Sequence, residues 1–440
     1  MMALMHGVDT TRRGFIVTAV GTVAGAAAIL RDDAIERVEA AVAASGDAPA
    51  GELASNEDFW FEVQQAYDVD RSLLNLNNGG VAPSPRVVLD AMHRHDDFTN
   101  RLPARHLWDV LDPQVEPVRE RLAAHFGCDA EELAITRNAS ESLETCLLGI
   151  DLQRGDEILC TSQDYPRMLQ TLRQREKREG VVLKTFPVPT PPQELSDITR
   201  LYERNIADKT KMILVCHVIN ITGQIVPVNE IVKLGRSRNI PVIVDGAHSF
   251  GHFPFKLADL DCDYFGTSLH KWLSAPIGTG FLYVRKSKIA GLWPLMPPPE
   301  TLAADNIRKF EEIGTHPTAP RLAIAEALMF YEGLGAERKA ARLRYLRDRW
   351  AKRLVGKAKV VLYTSLDAGQ SCGIATVGVE GIKASDLTKY LFDKHRILTT
   401  PIEHEHINGI RVTPNTYTTV AEVDRFAGVM EKITEKGLIT

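Results

Sequence analysis

The sequence lacks paired cysteines. Its six cysteines lie far apart and form no C-x-x-C pair; they are Cys128, Cys146, Cys160, Cys216, Cys262 and Cys372. This spacing excludes a disulfide scaffold and the common zinc-binding arrangements. We therefore expect neither structural disulfides nor a structural metal.

The sequence also lacks a strong excess of charge of one sign. Its 52 Lys and Arg against 57 Asp and Glu give a formal net charge of -5, without long charged blocks. That balance does not attract a nucleic-acid backbone or an anionic membrane surface, so we expect a small-molecule partner and no nucleic acid. With 44% hydrophobic and 25% charged residues, the 440-residue chain is expected to form two packed lobes.

The N-terminus differs in composition from the rest of the chain. The basic pair Arg12-Arg13 precedes an uncharged run from Phe15 to Leu30 that is rich in Ala, Val, Gly and Thr. The pattern resembles a twin-arginine export signal, and the run is too short and too rich in Gly for a membrane span. A frayed N-terminal helix or an uncleaved anchor is the alternative. We predict a signal over 1–31 read by the twin-arginine machinery and a periplasmic or extracellular location, or a cytoplasmic one if the signal is not used.

The remaining chain divides into two patterns. From Leu133, short β-rich runs alternate with helical stretches, which favours a largely parallel sheet covered by helices, with its site at the carboxyl ends of the strands. After Arg321, long helices precede a strand-strand-helix-strand pattern. The predicted units are a helix or linker over 32–55, an N-terminal segment over 56–84 that packs on the small domain, a large domain over 85–320 and a small α+β domain over 321–440.

Two segments carry reactive side chains. The apolar run Val242-Ile243-Val244 ends in Asp245, and Lys271 follows about one strand later among Ser, His and Trp. Taken alone, the aspartate could be a helix cap or turn former, and the lysine a surface residue. Together they match what pyridoxal phosphate needs, namely an amine for its aldehyde and an anion for its ring nitrogen.

A third segment offers donors for a phosphate. Residues Ile135 to Ser142 lie where a strand gives way to a helix, whose free N–H groups and dipole favour a phosphate. The same residues also match a capping box with Ser140 as the cap. The two interpretations can both hold.

These segments together resemble the class V aminotransferase family within fold type I of the pyridoxal-phosphate enzymes. The matching motifs are Cys216 to Gln224, Asp245 to His248 and Ser268 to Lys271, and the likeness spans Leu73 to Ala427. The ending Asn408 to Tyr417 is most similar to the isopenicillin N epimerase-like branch. The resemblance implies a homodimer that binds pyridoxal 5'-phosphate and an amino acid substrate.

The resemblance also assigns roles to individual residues. Lys271 would form the internal aldimine and shuttle the α-proton, and Asp245 would pair with the pyridinium nitrogen. The phosphate would be held by Ala139, Ser140, Ser268 and His270. Asn220 and His248 match contacts to the phenolic oxygen, and Tyr165 matches a residue that stacks on the ring, with a buried core tyrosine as the alternative.

Two residues are candidates for the substrate. Arg411 matches the arginine that binds the α-carboxylate, a task suited to a planar bidentate donor, and its alternative is a domain-interface salt bridge. Asn78 lies in a Gly-rich segment that resembles the family's N-terminal substrate loop.

Two departures from the family pattern and one cluster of polar residues limit what the resemblance implies. Residues 397–406 contain neither the arginine nor the cysteine of the desulfurases, and Cys372 is interpreted as a buried small hydrophobe. Ile277 stands near the place of a cross-subunit phosphate contact, so either Thr279 replaces that contact or it is lost. Glu403-His404-Glu405-His406 is interpreted as a substrate-facing loop rather than a metal site, because alternate residues on a strand point to opposite faces.

The predicted enzyme removes the Cα proton of an amino acid. An epimerase or aminotransferase is expected first, a carbon–sulfur lyase of the desulfurase kind next, and a non-catalytic cofactor-binding protein last, because Lys271 and Asp245 are both present.

Overall fold

A seven-stranded sheet forms the centre of the chain. The computed structural model describes residues 33–438, so the predicted export signal over 1–31 lies outside the described residues. The strand order is β2-β8-β7-β6-β5-β3-β4, and within this sheet β8 runs opposite to the other six strands. The strands are β2 (Leu133–Thr136), β3 (Glu157–Thr161), β4 (Val182–Phe186), β5 (Thr210–Cys216), β6 (Val242–Asp245), β7 (Tyr264–Ser268) and β8 (Gly280–Val284). The sheet is mainly parallel and is covered by helices, as expected from the sequence.

Strand β6 shows why the sheet is covered on both faces. All four of its residues are buried. Val242 and Val244 belong to one core cluster and Ile243 to the other, because successive side chains on a strand point to opposite faces. β-branched residues on both faces suit a parallel strand between two helical layers.

Helices supply both layers of the large domain. They are α4 (Arg86–Arg101), α5 (Val115–Phe126), α6 (Ala139–Gly149), α7 (Pro166–Glu179), α8 (Leu195–Asn205), α9 (Val228–Ser237), α10 (Leu257–Leu260) and α11 (Lys286–Ile289). Residues of α6 and α7 join the core cluster of Ile243, whereas those of α4, α5, α8 and α9 join the other. The N-terminus of α6 therefore reaches the same side of the sheet as the Asp245 side chain.

A four-stranded antiparallel sheet forms the small C-terminal unit, in the order β12-β13-β10-β9. The elements of this unit are α12 (Ala319–Leu322), α13 (Ile324–Leu334), α14 (Ala336–Leu354), β9 (Val360–Leu362), β10 (Ala375–Val379), α15 (Ala384–His395), β11 (Ile397–Leu398), β12 (Thr400–His404), β13 (Ile407–Val412) and α16 (Val420–Lys436). Its core is closed by Trp350 against Phe426, with ring centroids 5.5 Å apart and edge-on. None of the helices between residues 33 and 438 has the length and apolarity to cross a membrane.

The N-terminal residues are helical and packed. Helices α1 (Asp33–Ser45), α2 (Ala50–Leu53) and α3 (Glu57–Gln64) precede the short strand β1 (Leu74–Asn75). In the predicted linker over 32–55, Val38 and Leu53 are buried, so the folded chain begins before Asn56. β1 pairs in parallel with β11 of the small unit.

Candidate active site

Three neighbouring strands end at one edge of the central sheet. Cys216 ends β5, Asp245 ends β6 and Ser268 ends β7. Cys216 pairs with Asp245 and Asp245 pairs with Gly266, so the ends of these strands lie side by side. A side chain at residue 246 is excluded, because a Cβ on Gly246 would stand 1.9 Å from the Phe265 ring.

A cavity of about 250 Å³ opens at this edge. Nine of the sequence-predicted site residues line it: Ala139, Ser140, Tyr165, Asn220, Asp245, His248, Ser268, His270 and Lys271. The predicted substrate residue Arg411 reaches it from β13 of the small unit. The lining also includes Gly79, Gly80, Asn138, Leu143, Cys216, Val218 and Ala247. The topology thus gathers residues from the N-terminal segment, the large domain and the small domain.

Lys271 lies in a polar but desolvated environment. Its Nζ is 3.3 Å from Nε2 of His248. Burial lowers the pKa of Lys271 to about 8, the Arg411 charge acts in the same direction, and Asp245 opposes it. An amine with this pKa has a substantial unprotonated fraction near neutral pH, which is the form that attacks an aldehyde.

Asp245 and His248 are buried around that amine. The Asp245 Oδ1 accepts a hydrogen bond from the Ala247 amide at 2.9 Å, so the residue forms its turn as well as lining the cavity. Burial raises the pKa of Asp245, whereas the Ala247 amide and Lys271 oppose the rise. Burial, followed by the charges of Lys271 and Arg411, lowers the pKa of His248 well below its usual value, so this imidazole is neutral.

The first turn of α6 forms another part of the lining. The cap of this helix is Asn138, whose side chain accepts from the Glu141 amide at 2.9 Å, so the interpretation of Ser140 as the cap is wrong. The Ala139 amide donates to Ser268 Oγ at 2.9 Å. This contact brings the helix N-terminus, where the dipole is positive, to the end of β7. His270 lies beside it, with Nδ1 3.2 Å from the Thr279 carbonyl oxygen.

Arg411 is held by backbone and amide oxygens rather than by a carboxylate. Its Nη1 donates to the Asn220 carbonyl at 3.0 Å and its Nη2 to Asn77 Oδ1 at 3.2 Å. The Arg411 Nε and the Asn220 Oδ1 are buried and have no partner among the described residues. No ion pair of Arg411 occurs in the described part of the chain, which argues against the interface salt bridge. Burial lowers the pKa of Arg411 to about 10, and a bound carboxylate would compensate that desolvation.

Asn78 does not line the cavity. Its Nδ2 donates to the Thr413 and Asn75 carbonyl oxygens, and its Oδ1 accepts from the Tyr417 hydroxyl at 2.6 Å. The preceding residue, Asn77, faces the other way and contacts Arg411. The chain turns at Asn78, so the asparagine that contacts Arg411 is Asn77 and not the predicted Asn78, whose side chain is used within the fold.

Tyr165 precedes α7 and is half-buried in the cavity wall. The loop before it is fixed by Asp164, whose Oδ2 accepts from the Thr161 amide at 2.7 Å and from the Thr161 hydroxyl at 2.6 Å. The Cys216 thiol donates to Asp164 Oδ1 at 3.2 Å and lies 3.9 Å from Asp245 Oδ2. Burial raises the pKa of Asp164 to about 6. No local motif of the sequence marks this link, because Asp164 and Cys216 lie 52 positions apart.

Two expectations about the surrounding loops can be compared with the structure. The Thr279 hydroxyl is buried and donates to the Pro276 carbonyl at 2.6 Å, whereas Ile277 is 74% exposed. The Thr279 hydroxyl is therefore enclosed within its own chain. In the predicted loop over 403–406, His404 contacts the Ser162 carbonyl oxygen at 2.9 Å, and Glu403 Oε1 accepts from the Ser385 amide. No cluster of three or more metal-ligating side chains occurs within residues 33–438.

Comparison with known proteins identifies the family of this site. The family model of the class V aminotransferases matches residues 74–426. The chain belongs to the class V aminotransferase family. It is 30% identical to the isopenicillin N epimerase of Streptomyces clavuligerus over 395 residues, which are 85% of this chain and 98% of that protein. It is 24% identical over 403 residues to a probable cysteine desulfurase of Pyrococcus abyssi, covering 84% and 97% of the two chains.

Solved structures confirm the fold. The apo cysteine desulfurase of Thermococcus onnurineus NA1 superposes with a TM-score of 0.74 at 24% identity, covering 85% of this chain and 98% of that one. The cofactor of this class V chain is pyridoxal 5'-phosphate. The lining residues fit it: one cavity is surrounded by a lysine amine, a carboxylate, the N-terminus of α6 and the Asn220 Oδ1, which has no hydrogen-bond partner among the described residues. These are the groups that an aldehyde, a ring nitrogen, a phosphate and a hydroxyl require.

Proposed function

We propose that this protein is an amino-acid epimerase that depends on pyridoxal 5'-phosphate and uses Lys271 to move the Cα proton of its substrate. The observation that carries the proposal is the grouping of Lys271, His248, Asp245 and Arg411 around one cavity. The likeness to an isopenicillin N epimerase over 98% of that protein's length supports epimerisation over the other reactions of the family.

Each of these residues has a distinct task in the proposal. The Arg411 guanidinium binds the α-carboxylate, since its Nε has no protein acceptor among the described residues. The unprotonated Lys271 Nζ takes the proton from Cα, and a proton from solvent added on the opposite face inverts the centre, after which Lys271 returns its proton to solvent. The bound cofactor supplies the electron sink that accepts the pair released from the C–H bond. Asp245 keeps the ring nitrogen protonated, and Ala139, Ser140, Ser268 and His270 hold the phosphate.

The test is an isotope experiment on the purified enzyme. We would incubate it in D₂O with a panel of L- and D-amino acids, without any 2-oxo acid, and follow enantiomer ratio and Cα deuteration. Inversion with deuterium uptake, both lost in Lys271→Ala, is the expected result. Turnover only when a 2-oxo acid is supplied would replace the epimerase with an aminotransferase.

A carbon–sulfur lyase is the second candidate. The likeness to a probable cysteine desulfurase favours it, but residues 397–406 lack the arginine and cysteine of the desulfurases. Cys372 is buried, with its Sγ 3.7 Å from the Ala340 carbonyl oxygen, and it does not line the cavity. Sulfide release from L-cysteine or cystine in the same assay would favour the lyase over the epimerase.

We also propose a homodimer and export by the twin-arginine route. Ile277 is 74% exposed and lines a second cavity of about 180 Å³, in which apolar residues such as Phe310 and Ile313 lie beside charged ones such as Glu311 and Arg321. A mixed surface of this kind with an exposed isoleucine suits a second copy of the chain. Export rests on the Arg12-Arg13 pair and the apolar run after it. Cell fractionation of the natural chain and of a variant with Lys at both arginines tests it, and an unchanged location would contradict it.

A further inference from the structure

Trp272 follows the proposed catalytic lysine but does not line the cavity. It is fully buried, and its indole Nε1 lies 3.4 Å from Nδ1 of His248. The other ring nitrogen of His248, Nε2, is the one that faces the Lys271 Nζ. Trp272 therefore contacts His248 at the ring nitrogen that does not face Lys271.

The direction of this hydrogen bond is fixed by chemistry. An indole N–H donates and cannot accept, so Nδ1 of His248 must be the acceptor. A neutral imidazole with an accepting Nδ1 has its proton on Nε2. His248 then donates to Lys271 Nζ, which favours the unprotonated amine.

A second histidine holds the indole in place. The His252 ring stacks on Trp272, with centroids 3.7 Å apart and planes 3° from parallel. Its Nε2 accepts from the Gly373 amide at 2.8 Å, so its proton lies on Nδ1, which donates to the His248 carbonyl at 2.8 Å. Gly373 belongs to the small unit, so the contact joins the two domains behind the site.

We propose that Trp272 is a positioning residue that places the proton of His248 on Nε2, and that His252 keeps the indole in the orientation this requires. His248 is thereby a fixed hydrogen-bond donor toward Lys271, and the amine is held in the form that can react with the cofactor aldehyde. The inference concerns the site of the proposed function but is independent of which reaction that site performs.

The direct test is the tautomer of His248. We would label histidine with ¹⁵N in the full-length protein and record magic-angle-spinning spectra with and without the cofactor, assigning His248 by the signals lost in His248→Asn. We expect a protonated Nε2 and an unprotonated, hydrogen-bonded Nδ1. In Trp272→Phe, the ¹⁵N chemical shift of His248 Nδ1 should move to the value of a nitrogen that accepts no hydrogen bond or that carries the proton. A protonated Nδ1 in the natural protein, or an unchanged Nδ1 in the variant, would overturn the proposal.

Trp350→Phe is the matched control. Trp350 is also fully buried, and its Nε1 has no partner among the described residues, so this change removes a similar volume without breaking a hydrogen bond. Its His248 signals should equal those of the natural protein. If Trp272→Phe does not fold, the proposal is tested by the natural protein alone, in which Nε2 of His248 must carry the proton and Nδ1 must not.

A second readout is the rate of cofactor uptake by the cofactor-free protein as a function of pH. Weakening the His248 donor should raise the pH midpoint of uptake by about half a unit or more in Trp272→Phe, and not in Trp350→Phe. The other titratable groups that act on Lys271 remain in both variants; they are Asp245, Cys216, His270 and Arg411. Equal midpoints in the two variants would count against the proposal even if epimerase activity is found.

Discussion

Asn77 and Arg411 are joined by a 3.2 Å hydrogen bond between the N-terminal segment and strand β13. The same Asn77 Oδ1 accepts from the Thr400 hydroxyl at 2.5 Å. The amide oxygen is thus shared between two elements of the small domain. It fixes the orientation of a guanidinium whose Nε has no acceptor in the described part of the chain.

Replacing Asn77 with Ala should loosen Arg411 without removing its charge. We expect KM for the amino acid substrate to rise about fivefold to tenfold, since one hydrogen bond to a charged group is lost, with a smaller effect on kcat. Steady-state kinetics measure both. Asn205→Ala, on helix α8 and away from the cavity, is the control and should leave KM unchanged. A fall in kcat with constant KM would contradict the positioning role.

Replacing Arg411 with Lys tests the carboxylate contact itself. Lysine keeps a positive charge but lacks the planar fork, so KM should rise at least about tenfold while the cofactor spectrum stays the same. Substrate titration of the cofactor absorbance gives the affinity without turnover. If affinity holds and only the free energy of unfolding falls, the residue serves the domain interface instead.

Much of this site could be predicted from sequence, because its residues occur in contiguous motifs. Asp245 ends strand β6, and His248 and Lys271 each lie three residues after the end of β6 or β7, at the same edge of the sheet. Asn77 could not be separated from Asn78, because the choice depends on how the chain turns after Asn77 pairs with Thr413, a contact between distant segments.

Contacts between distant segments escaped prediction for a different reason. Asp164 and Cys216 are 52 residues apart, and His252 and Gly373 are 121 apart, so only the packed fold brings them together. The packed helices before Asn56 were also not distinguished from a linker, since their Ala-rich sequence has few large apolar residues.

Ile277→Lys should weaken the proposed dimer. The side chain is 74% exposed, and Phe310 and Ile313 line the same cavity, so burying a lysine there would remove its ammonium group from water and replace an apolar contact. We expect sedimentation velocity at micromolar concentration to show a shift toward monomer. Val355→Lys, at a site 52% exposed and not part of that surface, should leave the distribution unchanged. A natural protein that is already monomeric would contradict the proposal.

His217 gives the fold a defined sensitivity to acid. The ring is buried edge-on to Phe253 and Phe255, with centroids 5.4 Å and 4.8 Å away, and its Nδ1 has no partner among the described residues. Burial lowers the pKa of His217 to about 3, against an opposing effect of Asp259. Between pH 6.5 and 3, the unfolded chain therefore binds a proton at this residue that the folded chain does not. The stability that depends on the neutral ring is present above pH 6.5 and is lost as the pH falls.

His217→Phe removes the imidazole that binds this proton in the unfolded chain, and it keeps an aromatic ring next to Phe253 and Phe255. The free energy of unfolding of the variant, relative to the natural protein, should improve by about 1 kcal/mol for each pH unit below 6.5. Urea unfolding at pH 8, 6, 5 and 4 measures the difference. The value at pH 8, where the histidine is neutral in both states, isolates the packing effect of the larger ring. His248 and His252, whose pKa values burial also lowers, remain in both proteins, so their contributions cancel. A difference that does not change with pH would mean that His217 accepts a proton in the folded state as readily as in the unfolded chain.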